Sequence, residues 1–219
     1  GPLMDRMLDD GTARELADLI SMDRVMATPP AEAAAVHKDT VYLTTADQDG
    51  MVVSMIYSVF HPFGSGFASS KFGINFQNRG AGFVLTEGHQ NELKPGRRPL
   101  HTIIPAMIKK DGKVIASYGV MGGQYQATGH ARVLTNMVDF GMSPQQALDA
   151  PRCFADPEDG KLHIERSYSD EVKRALEQVG HTLHTPEPPI GGSQMIRVHE
   201  NGVYEGASDP RKDGCAVGW

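Results

Sequence analysis

An α+β fold with largely antiparallel pairing is the class this 219-residue chain predicts. Three observations carry it. Apolar runs come in pairs around short polar turns, at DQDG (residues 47–50), Asp111-Gly112 and Asn201-Gly202, the pattern of β-hairpins. Segments of helical period are grouped between the second and third pairs rather than alternating with single strands. No internal repeat or low-complexity tract divides the chain.

Taken in order, residues 12–21 (TARELADLIS) place Leu16, Leu19 and Ile20 on one helical face. ATPPAEAAAVHKD (27–39) is rich in Pro and Ala, lacks strand alternation, and reads as an exposed linker running up to Asp39. TVYLTTA and MVVSMIYSV form the first hairpin. Residues 64–82 are glycine-rich and irregular; so long a loop in a compact domain is usually functional. HTIIPAMIKKDGKVIASYGV (101–120) is a second hairpin, and the apolar residues of each arm predict strands buried on both faces. After Gly122-Gly123, residues 124–140 read as a helix with Ala127, Ala131, Leu134 and Val138 on one face. Ser143-Pro144 opens a short helix through Leu148. KLHIE is a short strand. Ser169 caps a helix through Val179 with Val172, Leu176 and Val179 inward, closed by Gly180. SQMIRVH and VYEGAS make the last hairpin.

Composition narrows the function. Net charge is −6, and no Lys/Arg stripe with interleaved aromatics is present, so nucleic acid is not an expected partner. No apolar run approaches the roughly 20 residues that span a bilayer. Gly1-Pro2-Leu3 reads as a tag remnant, so compartment cannot be read from residue 1; the expectation is cytoplasmic, with the periplasm as alternative. Cys153 and Cys215 are far apart and lack a CxxC partner, which predicts two reduced, partly buried thiols, a disulfide being open to them only in an oxidising compartment. The nine histidines show no metal-ligand spacing with a carboxylate, so neither metal nor cofactor is expected; His61, His89 and His101 read as surface or satisfied core residues. GxSxG, P-loop, HExxH and GxGxxG motifs are all missing.

What remains is Thr40, placed where the linker meets a strand. A Thr made N-terminal by cleavage carries a nucleophile and a base on one residue, because its α-amine, with an ordinary pKa near 8, can take the hydroxyl proton. A Thr opening a strand is by itself commonplace. Acyl transfer also needs backbone N–H groups aimed at a developing oxyanion, and Gly122-Gly123, between a strand and a helix, is a candidate for that turn.

Several stretches, in one order, resemble the γ-glutamyltransferase family of N-terminal nucleophile hydrolases: DTVYLTTADQDGMVVSMIYS, PGRRPLHTIIPAMIKKDGK, YGVMGGQ, MSPQQALDAPR and GASDPR. The resemblance runs from about residue 12 to 219. It implies an αββα sandwich with mostly antiparallel sheets, and a precursor that cuts itself at Asp39–Thr40 into large and small subunits. Residues 40–219 then correspond to the small subunit, and 4–39 to the tail of the large one plus linker. The implied partners are the large subunit and a small amide substrate, and the implied assembly is a dimer of large/small heterodimers. Carried over by position, Thr40 is the nucleophile, Gly122 and Gly123 form the oxyanion hole, and Ser58 stands where the family has a Thr supporting the nucleophile's amine. His101 and Thr102 stand where γ-glutamyl enzymes have two serines near the substrate carboxylate.

The departures bear on substrate. Gly82 replaces the Asp that holds a glutamyl α-amine, and no carboxylate lies between Asp49 and Glu87. Phe60 replaces a common Asn, and Arg79 a Gln. An acceptor for a cation has gone and a fixed cation has appeared, which suits a substrate carboxylate. The features resemble the acylase-like branch that includes oxamate amidohydrolase. A true γ-glutamyl hydrolase or transferase, and a non-catalytic assembly module, are the rival readings.

Overall fold

The computed structural model describes residues 5, 6, 8–26, 39–156 and 159–219; residues 27–38 of the expected linker lie outside the described residues. Strand β1 (Asp39–Ala46) pairs antiparallel with β2 (Val52–Phe60). A four-stranded antiparallel sheet has the order β3 (Pro105–Lys110), β4 (Lys113–Met121), β8 (Gly192–Val198), β9 (Tyr204–Ser208). A small sheet joins β5 (Cys153–Ala155), β6 (Leu162–Ile164) and β7 (Leu183–His184), with β6 and β7 parallel. The helices are α1 (Asp10–Ala17), α2 (Tyr125–Val138), α3 (Pro144–Asp149) and α4 (Asp170–Gln178).

β4 sets the layering. Successive side chains of a strand point to opposite faces. Tyr118 and Val120 join Tyr125 and Val133 of α2, Leu148 of α3, Met195 and Ala207 in the main core. Ser117 and Gly119, on the other face, meet the β1–β2 hairpin. The Tyr42 ring lies flat on Gly119, where an added Cβ would stand 2.2 Å from Tyr42 Cδ2. The Tyr42 hydroxyl hydrogen-bonds with Ser54 Oγ (2.7 Å) and Ser117 Oγ (3.2 Å), and Thr44 Oγ1 donates to Ser117 Oγ at 2.7 Å. Burial pushes the Tyr42 phenol up, although hydrogen bonds from its neighbours oppose it. The described residues thus supply two facing β layers and one helical layer.

The expected hairpins form, with glycines at positive φ in their turns (Gly50, Gly112, Gly202). Three expectations need correction. The inward face of α2 carries Tyr125, Gln126, Gly129, His130, Val133 and Asn136, while Ala127, Ala131, Leu134 and Val138 are exposed. The helix–sheet seam is specified by hydrogen bonds and by a glycine: Gly129 admits Val120 and Tyr125, the Val120 amide donates to His130 Nε2, and Asn136 Nδ2 donates to the Ala147 carbonyl. In the second hairpin the first arm begins only at Pro105: the Ile104 amide is bonded to the Gln126 side chain instead of a neighbouring strand, and Thr102 is tied by its hydroxyl to Arg79. β3 is an exposed edge strand, and only β4 is buried on both faces. Helix α1 starts at Asp10, capped by Asp9, and ends before Leu19 and Ile20, which are exposed with Leu16. α4 follows its expected bounds, with Leu176 and Val179 half-buried but Val172 exposed.

Gly119→Ala should lower stability by about 3 kcal/mol in chemical denaturation, because the new methyl displaces a buried ring; a loss below 1 kcal/mol would mean Tyr42 is not seated there.

Candidate active site

Thr40 sits at the head of β1, opposite Ser58 in the β1–β2 register, and the register shifts between Asp39 and Thr40. Such a shift is a β-bulge, a device that re-aims the chain. The Thr40 hydroxyl donates to Ser58 Oγ at 3.3 Å, and Ser58 Oγ also accepts the Phe60 amide at 3.1 Å. Phe60 is buried with φ at 79°, a region a bulky residue seldom adopts. β2 therefore ends in a sharp corner two residues past Ser58.

The corner feeds the irregular stretch 61–104, and Asn78 ties that stretch back. Its Oδ1 accepts the His61 amide (3.0 Å), its Nδ2 donates to His61 Nδ1 (2.7 Å), and its own amide donates to the Val59 carbonyl. Arg79, next in sequence, opens a short 3-10 turn through Gly82. Its guanidinium lies 4.9 Å over the Phe60 ring and donates through Nη1 to Thr102 Oγ1 at 2.9 Å. Burial pulls the Arg79 pKa below the ordinary arginine value. Gly82 faces the same ring: a Cβ there would stand 4.0 Å from Phe60 Cζ. Thr40, Ser58, Phe60, Arg79, Gly82 and Thr102 thus form one linked series. His101, beside Thr102, is exposed.

Gly122 and Gly123 form the turn between β4 and α2, at φ 123° and 61°. Their carbonyls accept the Tyr125 and Gln126 amides. A Cβ on Gly122 would lie 2.8 Å from Gly191 Cα, and one on Gly191 would lie 2.6 Å from Tyr125 Cδ1, so the turn is wedged against another backbone. Gln126, missed in the sequence, is 1% exposed, and its Oε1 accepts the Ile104 amide at 3.1 Å. The turn and the Thr102 segment are therefore joined. Among the described residues, three buried side-chain nitrogens lack a hydrogen-bond partner: His61 Nε2, Arg79 Nη2 and Gln126 Nε2. The expectation that His61 is a satisfied or surface residue fails for that atom.

Behind the turn lies a buried ion cluster. Arg152 (2% exposed) donates to Asp209 (1% exposed), Leu148 O and Ile190 O. Arg211 holds both Glu165 oxygens, at 2.7 and 2.6 Å, and Asp209 Oδ1 at 3.2 Å. Burial works to raise the Glu165 carboxyl, but hydrogen bonds from Arg211 and two amides hold it below its ordinary value. With every charge paired, the cluster reads as a clamp on the segment preceding Gly191-Gly192.

Asp156, Asp159 and His163 are close enough to share a metal ion, a grouping the histidine spacing did not suggest. Both imidazole nitrogens already face a carboxylate, Nδ1 at 3.8 Å from Asp156 and Nε2 at 3.1 Å from Asp159, and Lys161 approaches Asp159 at 3.7 Å. Ion pairing accounts for this cluster. Cys153 is half-buried and Cys215 exposed, and both are free thiols. No helix among the described residues is long and apolar enough to cross a membrane.

Comparison with known proteins supplies independent findings. The family described as Gamma-glutamyltranspeptidase matches residues 2–219. The chain is 38% identical to the glutathione hydrolase-like YwrD proenzyme of Bacillus subtilis (strain 168), across 98% of this chain and 42% of that protein. It is 35% identical to the oxamate amidohydrolase proenzyme of Klebsiella pneumoniae, across 83% of this chain and 36% of that protein. Among solved structures it resembles cephalosporin acylase from Bacillus halodurans, with TM-score 0.84 and 37% identity over 98% of this chain and 39% of that one. It also resembles a gamma-glutamyltranspeptidase chain from Pseudomonas nitroreducens, with TM-score 0.74 and 28% identity over 81% of this chain and 98% of that one. The chain therefore spans about two-fifths of the proenzymes it matches.

His130, under the turn, gives a pH test. Burial lowers its pKa, against hydrogen bonds that raise it, and as a neutral ring it accepts the Val120 amide on Nε2. A depressed histidine pKa stabilises the fold above the unfolded value of about 6.5, and that contribution is lost as pH falls below it. The melting temperature should fall between pH 7 and pH 5, less steeply in His130→Gln. Equal slopes would remove His130 as the cause.

Proposed function

The chain belongs to the gamma-glutamyltranspeptidase family, and from that premise we propose that it is the catalytic small-subunit part of a self-cleaving amide hydrolase with Thr40 as nucleophile. The observation that carries the reading is the placement of Thr40: at a register shift, at the head of a strand, its hydroxyl directed to Ser58. A hydroxyl held in this way can attack the Asp39 carbonyl. An N-to-O acyl shift then breaks the Asp39–Thr40 amide, freeing the α-amine of Thr40 and leaving the Asp39 acyl group as an ester on its hydroxyl; water hydrolyses that ester, releasing the Asp39 carboxylate and the Thr40 hydroxyl. In the mature form that amine takes the hydroxyl proton as Thr40 attacks a substrate amide. Ser58 positions the hydroxyl. The Gly122-Gly123 turn offers amides to the tetrahedral oxyanion. The amine product leaves and water resolves the acyl-enzyme.

A small amide bearing a carboxylate suits the wall beside Phe60 better than a γ-glutamyl group. Arg79 has a buried Nη2 without a partner, and Gly82 supplies no carboxylate for an ammonium. A glutamyl α-amine placed there would meet a guanidinium.

The large subunit of the same precursor is the proposed partner. The outer face of the β1–β2 hairpin carries Val41, Leu43, Val53, Met55 and Tyr57, all exposed, and a two-stranded sheet with a bare apolar face needs cover. The relatives are more than twice as long as this chain. Residues 40–219 make up about four-fifths of the chain, close to the 81% of it that aligns with 98% of a Pseudomonas nitroreducens chain.

Intact-mass analysis of the full-length precursor tests the reading. Wild type should yield a species beginning at Thr40 and should hydrolyse oxamate in preference to a γ-glutamyl anilide. Thr40→Ala should stay uncut and lose turnover by more than about a thousandfold. Cleavage at residue 40 in that variant would sink the assignment, and preference for the anilide would move the substrate to the γ-glutamyl class.

A further inference from the structure

Two of the unspent buried donors are tethered to the same short segment. Arg79 is bound through Nη1 to Thr102 Oγ1, leaving Nη2 buried and without a partner. Gln126 is bound through Oε1 to the Ile104 amide, leaving Nε2 in the same condition. The orientation of the Gln126 amide is fixed, because the Ile104 N–H can only donate and so must face oxygen. Thr102 and Ile104 are two residues apart, at most about 7 Å along an extended chain. The third donor, His61 Nε2, belongs to the Asn78 turn and not to this segment.

Folded proteins rarely leave buried donors unspent, and such exceptions call for an explanation. Two unspent donors on side chains anchored two residues apart match in number the two oxygens of a carboxylate, which accepts and never donates. We infer that Gln126 is a specificity-determining residue, whose Nε2–H receives the substrate carboxylate together with Arg79 Nη2–H. The inference rests on the proposed hydrolase reading and deepens it by fixing where the carboxylate lies relative to the scissile bond. Gln126 is three residues beyond Gly123, in the first turn of α2, and its backbone N–H donates to the Gly123 carbonyl at 3.2 Å. A side chain borne on the turn of helix that follows the oxyanion turn serves an acid group close to the reacting carbonyl. The substrate class is therefore an amide whose carboxylate is directly adjacent to the scissile carbonyl, as in oxamate, and longer spacers fit less well.

The test compares oxamate with its uncharged methyl ester in the full-length precursor. Gln126→Glu keeps the shape and the oxygen that accepts the Ile104 amide, but replaces the donor by a carboxylate oxygen. KM for oxamate should rise about tenfold to a hundredfold, and by at least about tenfold more than KM for the methyl ester, with self-cleavage at Thr40 intact. Should that variant not accumulate, Gln126→Met, similar in volume and uncharged, is read in the same way. Equal losses on both substrates assign Gln126 a structural role and overturn the inference, as does an unchanged preference for oxamate. Wild type that cleaves itself and hydrolyses the ester without preferring oxamate overturns the inference while the nucleophile reading stands. Wild type that neither cleaves itself nor hydrolyses either amide removes both.

Discussion

The contact between the Tyr42 ring and the Gly119 backbone decides how the two sheets meet. The β1–β2 hairpin has only two strands and exposes most of its outer face, so its own pairing cannot locate it in the fold. Tyr42 supplies the location. Its ring rests where any side chain at 119 would stand, and its hydroxyl ends in a chain of hydroxyls running to Ser54, Ser117 and Thr44. Thr40 is two residues up the same strand, on the same alternation, and inherits that position.

A second tyrosine does the same for the glycine turn. Tyr125 lies against Gly129 and Gly191, with Phe154 edge-on at 5.8 Å and the Arg152 guanidinium 5.9 Å from its ring centroid. Burial pushes its phenol up to about 12, against the nearby arginines. The ion cluster of Arg152, Asp209, Arg211 and Glu165 holds Ile190, immediately before Gly191, by both its carbonyl and its amide. Removing one member would strand a buried charge at a cost of about 3–5 kcal/mol. The nucleophile candidate and the Gly122-Gly123 turn thus stand on separate layers, each fixed by an aromatic ring laid on glycine.

Much of this was legible in the sequence because it is written locally. Turn residues and alternation locate the hairpins, and Ser143-Pro144 and Ser169 mark helix starts through side-chain caps that the structure contains. The orientation of α2 was not legible. Hydropathy favours Ala127, Ala131, Leu134 and Val138, yet the seam is built from His130 and Asn136, which are met by Val120 of β4 and Ala147 of α3, and from Gln126, whose Oε1 is met by the Ile104 amide. The role of residues 102–104 was hidden for the same reason: a segment bonded to side chains far off in sequence looks like a strand when read alone. Thr40, Ser58, Arg79 and Thr102 were each identifiable as candidates, but their linkage through Phe60 depends on a positive φ that no bulky residue advertises. Gln126 carried no motif at all.

The wall of the candidate site and its floor obey different rules of change. Thr40 stands on β1 and the Gly122-Gly123 turn follows directly from β4, strands whose side chains alternate with a period of two, so one inserted residue in β1 or β4 would turn the inward side chains outward and destroy the sheet contact. Arg79 and Gly82 belong to the stretch 61–104, which carries only isolated bridges, at Ala68–Asn75 and Val84–Glu92, and answers to a few anchors such as Asn78. Between those anchors, residues can be gained, lost or exchanged with no register to slip. The same candidate floor can therefore acquire new appetites by rewriting one loop, and divergence in substrate need leave no trace in the sheets.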